Sequence, residues 1–191
     1  MRIRKKIKKF IRRFTSDDDI AKIARRYLVM NSFDGALTIL GVIVGTFFAE
    51  KTAHSSIIIS AGFGTSLAMG ISGFVGAYLT ESSERRRYAD NGDDGEEGDN
   101  NLHEESLFLA LIDGLSPAIV TFIAVIPFIL AMRNFITIYT AFISSVAIIM
   151  GELFGLGIIL GKIAGKNIIL HGLITLLAGA GTFLIISILP F

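Results

Sequence analysis

Three carboxylates stand in stretches that otherwise carry no charge, Asp34, Asp113 and Glu152, and two thioethers at comparable depth, Met69 and Met150, could join them. A carboxylate at low dielectric either takes up a proton or meets a cation, and one group can do both in turn, as proton-coupled cation transport requires. A divalent site that joins carboxylate oxygen to thioether sulfur prefers a borderline transition ion to Mg or Ca, because the thioether is a soft ligand. Ionisable groups inside a bilayer cost about 2.5 to 3.5 kcal/mol on insertion scales, which makes them functional candidates by default. Each also has a plain structural reading. Asp34 and Asp113 both precede glycine and can cap or break a helix, Glu152 can hydrogen-bond a neighbouring helix, and methionine is a common gap-filler.

Spacing sets these residues at matched depths. Asp34 lies eight residues after Arg26 and Asp113 eight after Glu105; Met69 precedes Glu81 by twelve, and Met150 precedes Lys162 by twelve. At 1.5 Å per helical residue these offsets place the aspartates roughly 12 Å deep, the methionines roughly 18 Å and Glu152 roughly 15 Å. The surrounding segments also match, "FDGALTILGVIVG" with "IDGLSPAIVTFIAV" and "MGISGFVGAYLTE" with "MGELFGLGIILGK". Such a pairing reads as a parallel repeat, which in transporters sets the substrate site at the repeat interface near the midplane.

The elements that must position them are membrane helices. The 191 residues are 52% hydrophobic and 18% charged, with a mean hydropathy of +0.63, a composition far from that of a soluble domain. Five apolar stretches approach the roughly 20 residues that a spanning helix needs: Tyr27 to Ala49, Ser55 to Leu79, Ser106 to Met132, Phe135 to Gly161 and Asn167 to Leu189. The expected fold class is therefore an all-α integral membrane protein with a two-hairpin repeat, spans one and two against three and four, and a fifth span for scaffolding or oligomer contact. The organisation expected is a basic amphipathic cytoplasmic segment over 1–26, a hairpin over 27–79, an acidic cytoplasmic loop over 80–105, a second hairpin over 106–161, and a turn with the fifth span over 162–191. Loop 80–105 is Gly/Asn/Asp-rich without a periodic apolar face, so much of it is expected to be disordered or only partly helical.

Orientation follows from the basic residues. With the N-terminus inside, the cytoplasmic face collects 16 of the 18 Lys and Arg, leaving Lys51 and Arg133 opposite; the positive-inside rule therefore sends the C-terminus out. Ile3, Ile7, Phe10, Ile11 and Phe14 fall at helical spacing among Lys and Arg, which suits a helix lying on an anionic inner leaflet. Pro117 and Pro127 suggest a kinked or locally unwound third span. Gly157, Gly161 and Gly165, and likewise Gly70, Gly73 and Gly76, form small-residue stripes that let helices approach, within a protomer or across a dimer. With no cysteine, thiol catalysis, disulfides and zinc-thiolate sites are excluded. No P-loop, HExxH or GxSxG occurs, and no nucleophile and base pair stands out, so an enzyme is not expected.

"RRYLVMNSFDGALTILGVIVG" followed by "SLAMGISGFVGAYLTESSERR" resembles the vacuolar iron transporter family, and the resemblance runs from Arg25 to the end of the chain. It implies five spans, a homodimer with an ion path at the subunit interface, and exchange of cytosolic ferrous iron or manganese for protons. Asp34 would be the essential first-span carboxylate and Met69 the second-span sulfur ligand. Two departures stand out. Where the family carries "GE" in the second span, this chain has Gly73 and Phe74, so Glu152 in the fourth span is the available substitute. The Glu-rich metal-gathering domain of eukaryotic-type members is reduced here to Glu96, Glu97, Asp99, His103, Glu104 and Glu105, a weaker cation-attracting set.

The expected function is proton-coupled export of a divalent transition metal from the cytoplasm. The ion and protons would be cargo, with no permanently bound cofactor and no nucleic-acid partner. The membrane would be the cell membrane in a prokaryote and a vacuolar-type membrane otherwise. Two alternatives stay open: a membrane scaffold or binding protein whose buried acids lock helices together, and the same transporter fold with another substrate.

Overall fold

The structure, a computed structural model, describes residues 19–49, 55–89 and 96–189. They form five α-helices: α1 (Asp19–Ala49), α2 (Ser55–Ala89), α3 (Glu96–Met132), α4 (Ile138–Ile163) and α5 (Ile168–Ser187). There is no strand among the described residues. All five are long and apolar enough to cross a membrane, as expected where lipid offers no partner for backbone polar groups and the chain must satisfy them within each helix. Bulky apolar side chains therefore cover the outside as well as the core: Leu67 and Ile71 on α2 and Leu177 on α5 are each more than 60% exposed.

α1 is the axis of the bundle and touches every other helix, while α2 leans chiefly on α3, and α4 pairs with α5. α2 makes its smaller contact with α1, so the first hairpin is not a packing unit by itself. The main core joins Ile39, Leu40 and Ile43 of α1 to Phe128 of α3 and Ile149 and Leu153 of α4. Towards the end of α1, the rings of Phe47 and Phe142 stack at 3.9 Å.

The two joints within the second half of the chain are short and locally determined. Asn134 (φ 60) and Gly165 (φ 63) adopt left-handed backbone, and each closes a Schellman turn, through Phe135 N–H to the Leu130 carbonyl and Lys166 N–H to the Gly161 carbonyl, both at 3.0 Å. Thr137 and Asn167 then cap α4 and α5 by accepting from the backbone N–H groups of their first turns. Gly157 and Gly161 lie against α5, so that glycine stripe serves contact within the chain.

Two expectations change. α2 continues to Ala89 and α3 begins at Glu96, so helix reaches far into the acidic segment, expected in much of its length to be disordered or only partly helical; Glu, Arg and Ala in "ESSERRRYA" are strong helix formers that extend a helix already nucleated in the membrane. Of the two readings of Pro117 and Pro127, a kink or local unwinding, the second does not hold, since α3 runs as helix through both. Residues 1–18 of the amphipathic segment expected over 1–26 lie outside the described residues.

Candidate functional site

α1, α2 and α3 cross at one level, and glycines permit it. A Cβ on Gly35 would lie 2.8 Å from the Pro117 Cα, and one on Gly114 would lie 2.6 Å from the Gly70 carbonyl oxygen. One turn before Pro117, Asp113 sits at the meeting point of all three helices and is only 9% exposed. Its Oδ1 accepts from the Asn31 side-chain amide of α1. Its Oδ2 and its backbone oxygen both face Gly73 of α2, at 2.7 Å and 3.3 Å from where a Cβ would stand. Pro117 has no N–H, so the Asp113 carbonyl four residues earlier loses its helical donor. Side-chain and backbone oxygens of one residue thus lie together at a point where glycine leaves room.

A second carboxylate lies one turn or more toward the N-terminal end of α1. Glu81 of α2 is 5% exposed, and its Oε1 accepts from the Tyr27 hydroxyl at 2.7 Å. Tyr27 and Asn31 are four residues apart and so share a face of α1; that face offers a neutral donor to each acid in turn. Between α2 and α3, at an exposed position, the Tyr78 hydroxyl lies 3.0 Å from His103 Nδ1, with the two rings edge to face at 5.7 Å. The result is a polar seam along the otherwise apolar α1–α2–α3 contact.

The remaining acids are placed differently. Asp34 points out of the bundle and is exposed on the same α1 stripe as Lys22, Arg26 and Met30. Glu152 of α4 has both carboxylate oxygens buried with no hydrogen-bond partner, and the fully buried Ser145 Oγ, two turns away on the same face, is likewise unpartnered. Orphaned buried polar atoms of this kind call for an explanation, an ion, a water or a catalytic or transport role being the usual ones. Met150 carries its sulfur 3.1 Å from the Cβ position of Gly179 on α5 and packs against the main core. Met69 is half-buried on α2.

Of the residues expected to share a site, Asp113 stands at a three-helix crossing, Asp34 is exposed on α1 and Glu152 is unpartnered on α4. Among the described residues no three His, Asp or Glu side chains are close enough to hold a metal ion. The weaker candidates Glu96 and Glu97 open α3, with side chains outside the described residues; Glu104 is exposed and Glu105 half-buried. Sequence reading missed Tyr27, Asn31 and Glu81. The i,i+4 spacing of Tyr27 and Asn31 before Asp34 was the available signal for the first two, whereas Glu81 reads from sequence as an ordinary acidic helix exit.

In comparison with known proteins, no family model matches the chain. It is 33% identical over 176 residues to the uncharacterized protein MJ0645 of Methanocaldococcus jannaschii, which covers 87% of this chain and 86% of that one. No solved structure matches.

Proposed function

We propose that this chain, which belongs to one family with MJ0645 of Methanocaldococcus jannaschii, is a proton-coupled transporter that carries a divalent transition ion, ferrous iron or manganese, out of the cytoplasm. The observation that supports this reading is the state of its three membrane-depth carboxylates. Asp34 is exposed, Asp113 is held by one neutral amide, and Glu152 has no partner for either oxygen. Among the described residues none of the three meets a Lys, Arg or His. Acids that only lock helices together are normally satisfied by the groups they lock; acids left open to a cation and a proton are what exchange chemistry needs.

Asp34 also supports a homodimer. A carboxylate facing hydrocarbon at that depth is costly, and a second copy covering α1 from Asp34 onward would turn it inward and bring two symmetry-related aspartates to one path. The parallel repeat belongs to the same reading: Gly35 and Gly114, each following its aspartate, both stand at helix crossings. In this arrangement Asp34 and Met69 take the ion at the subunit interface, while Glu152 and Asp113 serve as second-rank carboxylates along the path. The N-terminus is placed on the cytoplasmic side and the C-terminus outside.

The deciding experiment is metal uptake by liposomes holding the purified protein under an imposed pH gradient, with iron, manganese, cobalt and calcium compared. The expected result is flux of iron or manganese that falls to the protein-free rate in Asp34→Asn and in Glu152→Gln. Wild-type rates in both variants, or no flux of any ion through folded protein, would overturn the reading and favour the scaffold alternative, which the satisfied pairs Tyr27 with Glu81 and Asn31 with Asp113 fit.

A further inference from the structure

The N-terminal third of α1 borders a groove that the carboxylates do not use. A cavity of about 350 Å³ opens between the first turns of α1 and the last turns of α4, lined by Lys22, Ile23, Arg26, Met30, Leu160 and Ile163. Its volume falls within the range of ligand pockets, roughly 300 to 1,000 Å³. Lys22, Arg26 and Met30 follow one another at four-residue intervals and are all exposed, so the lining changes along one line from two cations to apolar side chains.

Neither cation is committed to a strong partner. Lys22 reaches Asp19 at 3.1 Å, but the two side chains are 57% and 93% exposed, and an ion pair in that setting is readily exchanged for another anion. The Arg26 guanidinium lies 5.8 Å over the Tyr27 ring, a contact that uses its face and leaves the N–H fork for an oxyanion.

We infer that this groove is a binding site for one anionic phospholipid, with the phosphate on Lys22 and Arg26 and an acyl chain along Met30, Leu160 and Ile163. The gradient of polarity is that of a lipid standing in a leaflet, charge at the interface and hydrocarbon deeper. Free phosphate would satisfy the cations and leave the apolar length of the groove wet. A basic pocket between transmembrane helices on the cytoplasmic side is where acidic headgroups bind, and the basic-residue count assigns this end of α1 to that side.

The test is native mass spectrometry of the full chain released from bilayers of equal phosphatidylglycerol and phosphatidylcholine. One phosphatidylglycerol retained per chain is expected, with retention falling about fivefold for each of Lys22→Gln and Arg26→Gln, the attraction of one basic side chain to an anionic surface. Ile163→Trp, which fills the groove and keeps both charges, should also expel the lipid, whereas replacing Lys5, Lys6, Lys8 and Lys9 by Gln should not. Addition of inorganic phosphate should leave the adduct in place. Equal retention of the two lipids, unchanged retention in both Gln variants, or loss on changing only the four N-terminal lysines would each overturn the inference.

Discussion

At the scale of single residues, Asp113 and Glu152 make opposite predictions although both are buried acids. Asp113 has a partner, and removing it in Asp113→Ala strands the Asn31 amide at the helix crossing; a loss of about 1 to 3 kcal/mol follows from leaving one buried donor unmet. Glu152 has no partner to strand. Glu152→Met, close in volume and without polar atoms, should therefore stabilise the fold by about 1 to 3 kcal/mol, the cost of an unsatisfied buried polar group, while abolishing transport. Thermal unfolding of the purified protein measures both, and a destabilised Glu152→Met would mean that the carboxylate holds a structural contact. This difference was not legible in the sequence, where both residues are lone acids in apolar runs at similar depth. Partnership depends on residues 82 positions apart for Asn31 and Asp113 and 54 apart for Tyr27 and Glu81, and no local pattern carries information over that distance.

At the scale of elements, the bundle depends on how closely α3 is approached from two sides. Gly35→Ala would put a methyl carbon 2.8 Å from the Pro117 Cα; a Cβ is fixed by its own backbone and the Pro117 atoms it meets are backbone or rigid ring, so neither can swing aside, and α1 must move off α3. Overpacking of this sort costs about 1 to 3 kcal/mol, and because Asn31 rides on the same helix it should also loosen Asp113. Gly151→Ala on α4, where a Cβ meets nothing within 4 Å, is the matched control and should leave thermal stability unchanged or slightly raised. Equal effects from the two substitutions would show that the crossing is not where the helices are held. The spans themselves were readable, because uncharged runs near the length of a bilayer have few other uses; four of their ten ends moved by more than two residues. The shifts at Ala89 and Glu96 share a cause: a helix started in lipid continues into water as long as its residues favour helix, and charge counting sees only where lipid stops.

At the scale of the whole molecule, the proposed direction of transport depends on which face is cytoplasmic. The basic residues divide 16 to 2 between the faces, but the positive-inside rule counts them best near span ends and in short loops, and eight of them precede the described residues. The chain contains no cysteine, so single cysteines report position without background. Phe135, 76% exposed in the joint between α3 and α4, and Lys166, exposed in the joint between α4 and α5, stand at opposite ends of one helix. In intact cells a membrane-impermeant maleimide should label Phe135→Cys and spare Lys166→Cys, and inverted vesicles should reverse the pattern. The contrary pattern would turn the molecule over: the groove of Lys22 and Arg26 would face the outer leaflet, and the same carboxylates would face an import path. Labelling of both positions from both sides would indicate a mixed population of orientations, and the eleven basic residues before Tyr27 would then be the residues to change first, since they carry most of the asymmetry.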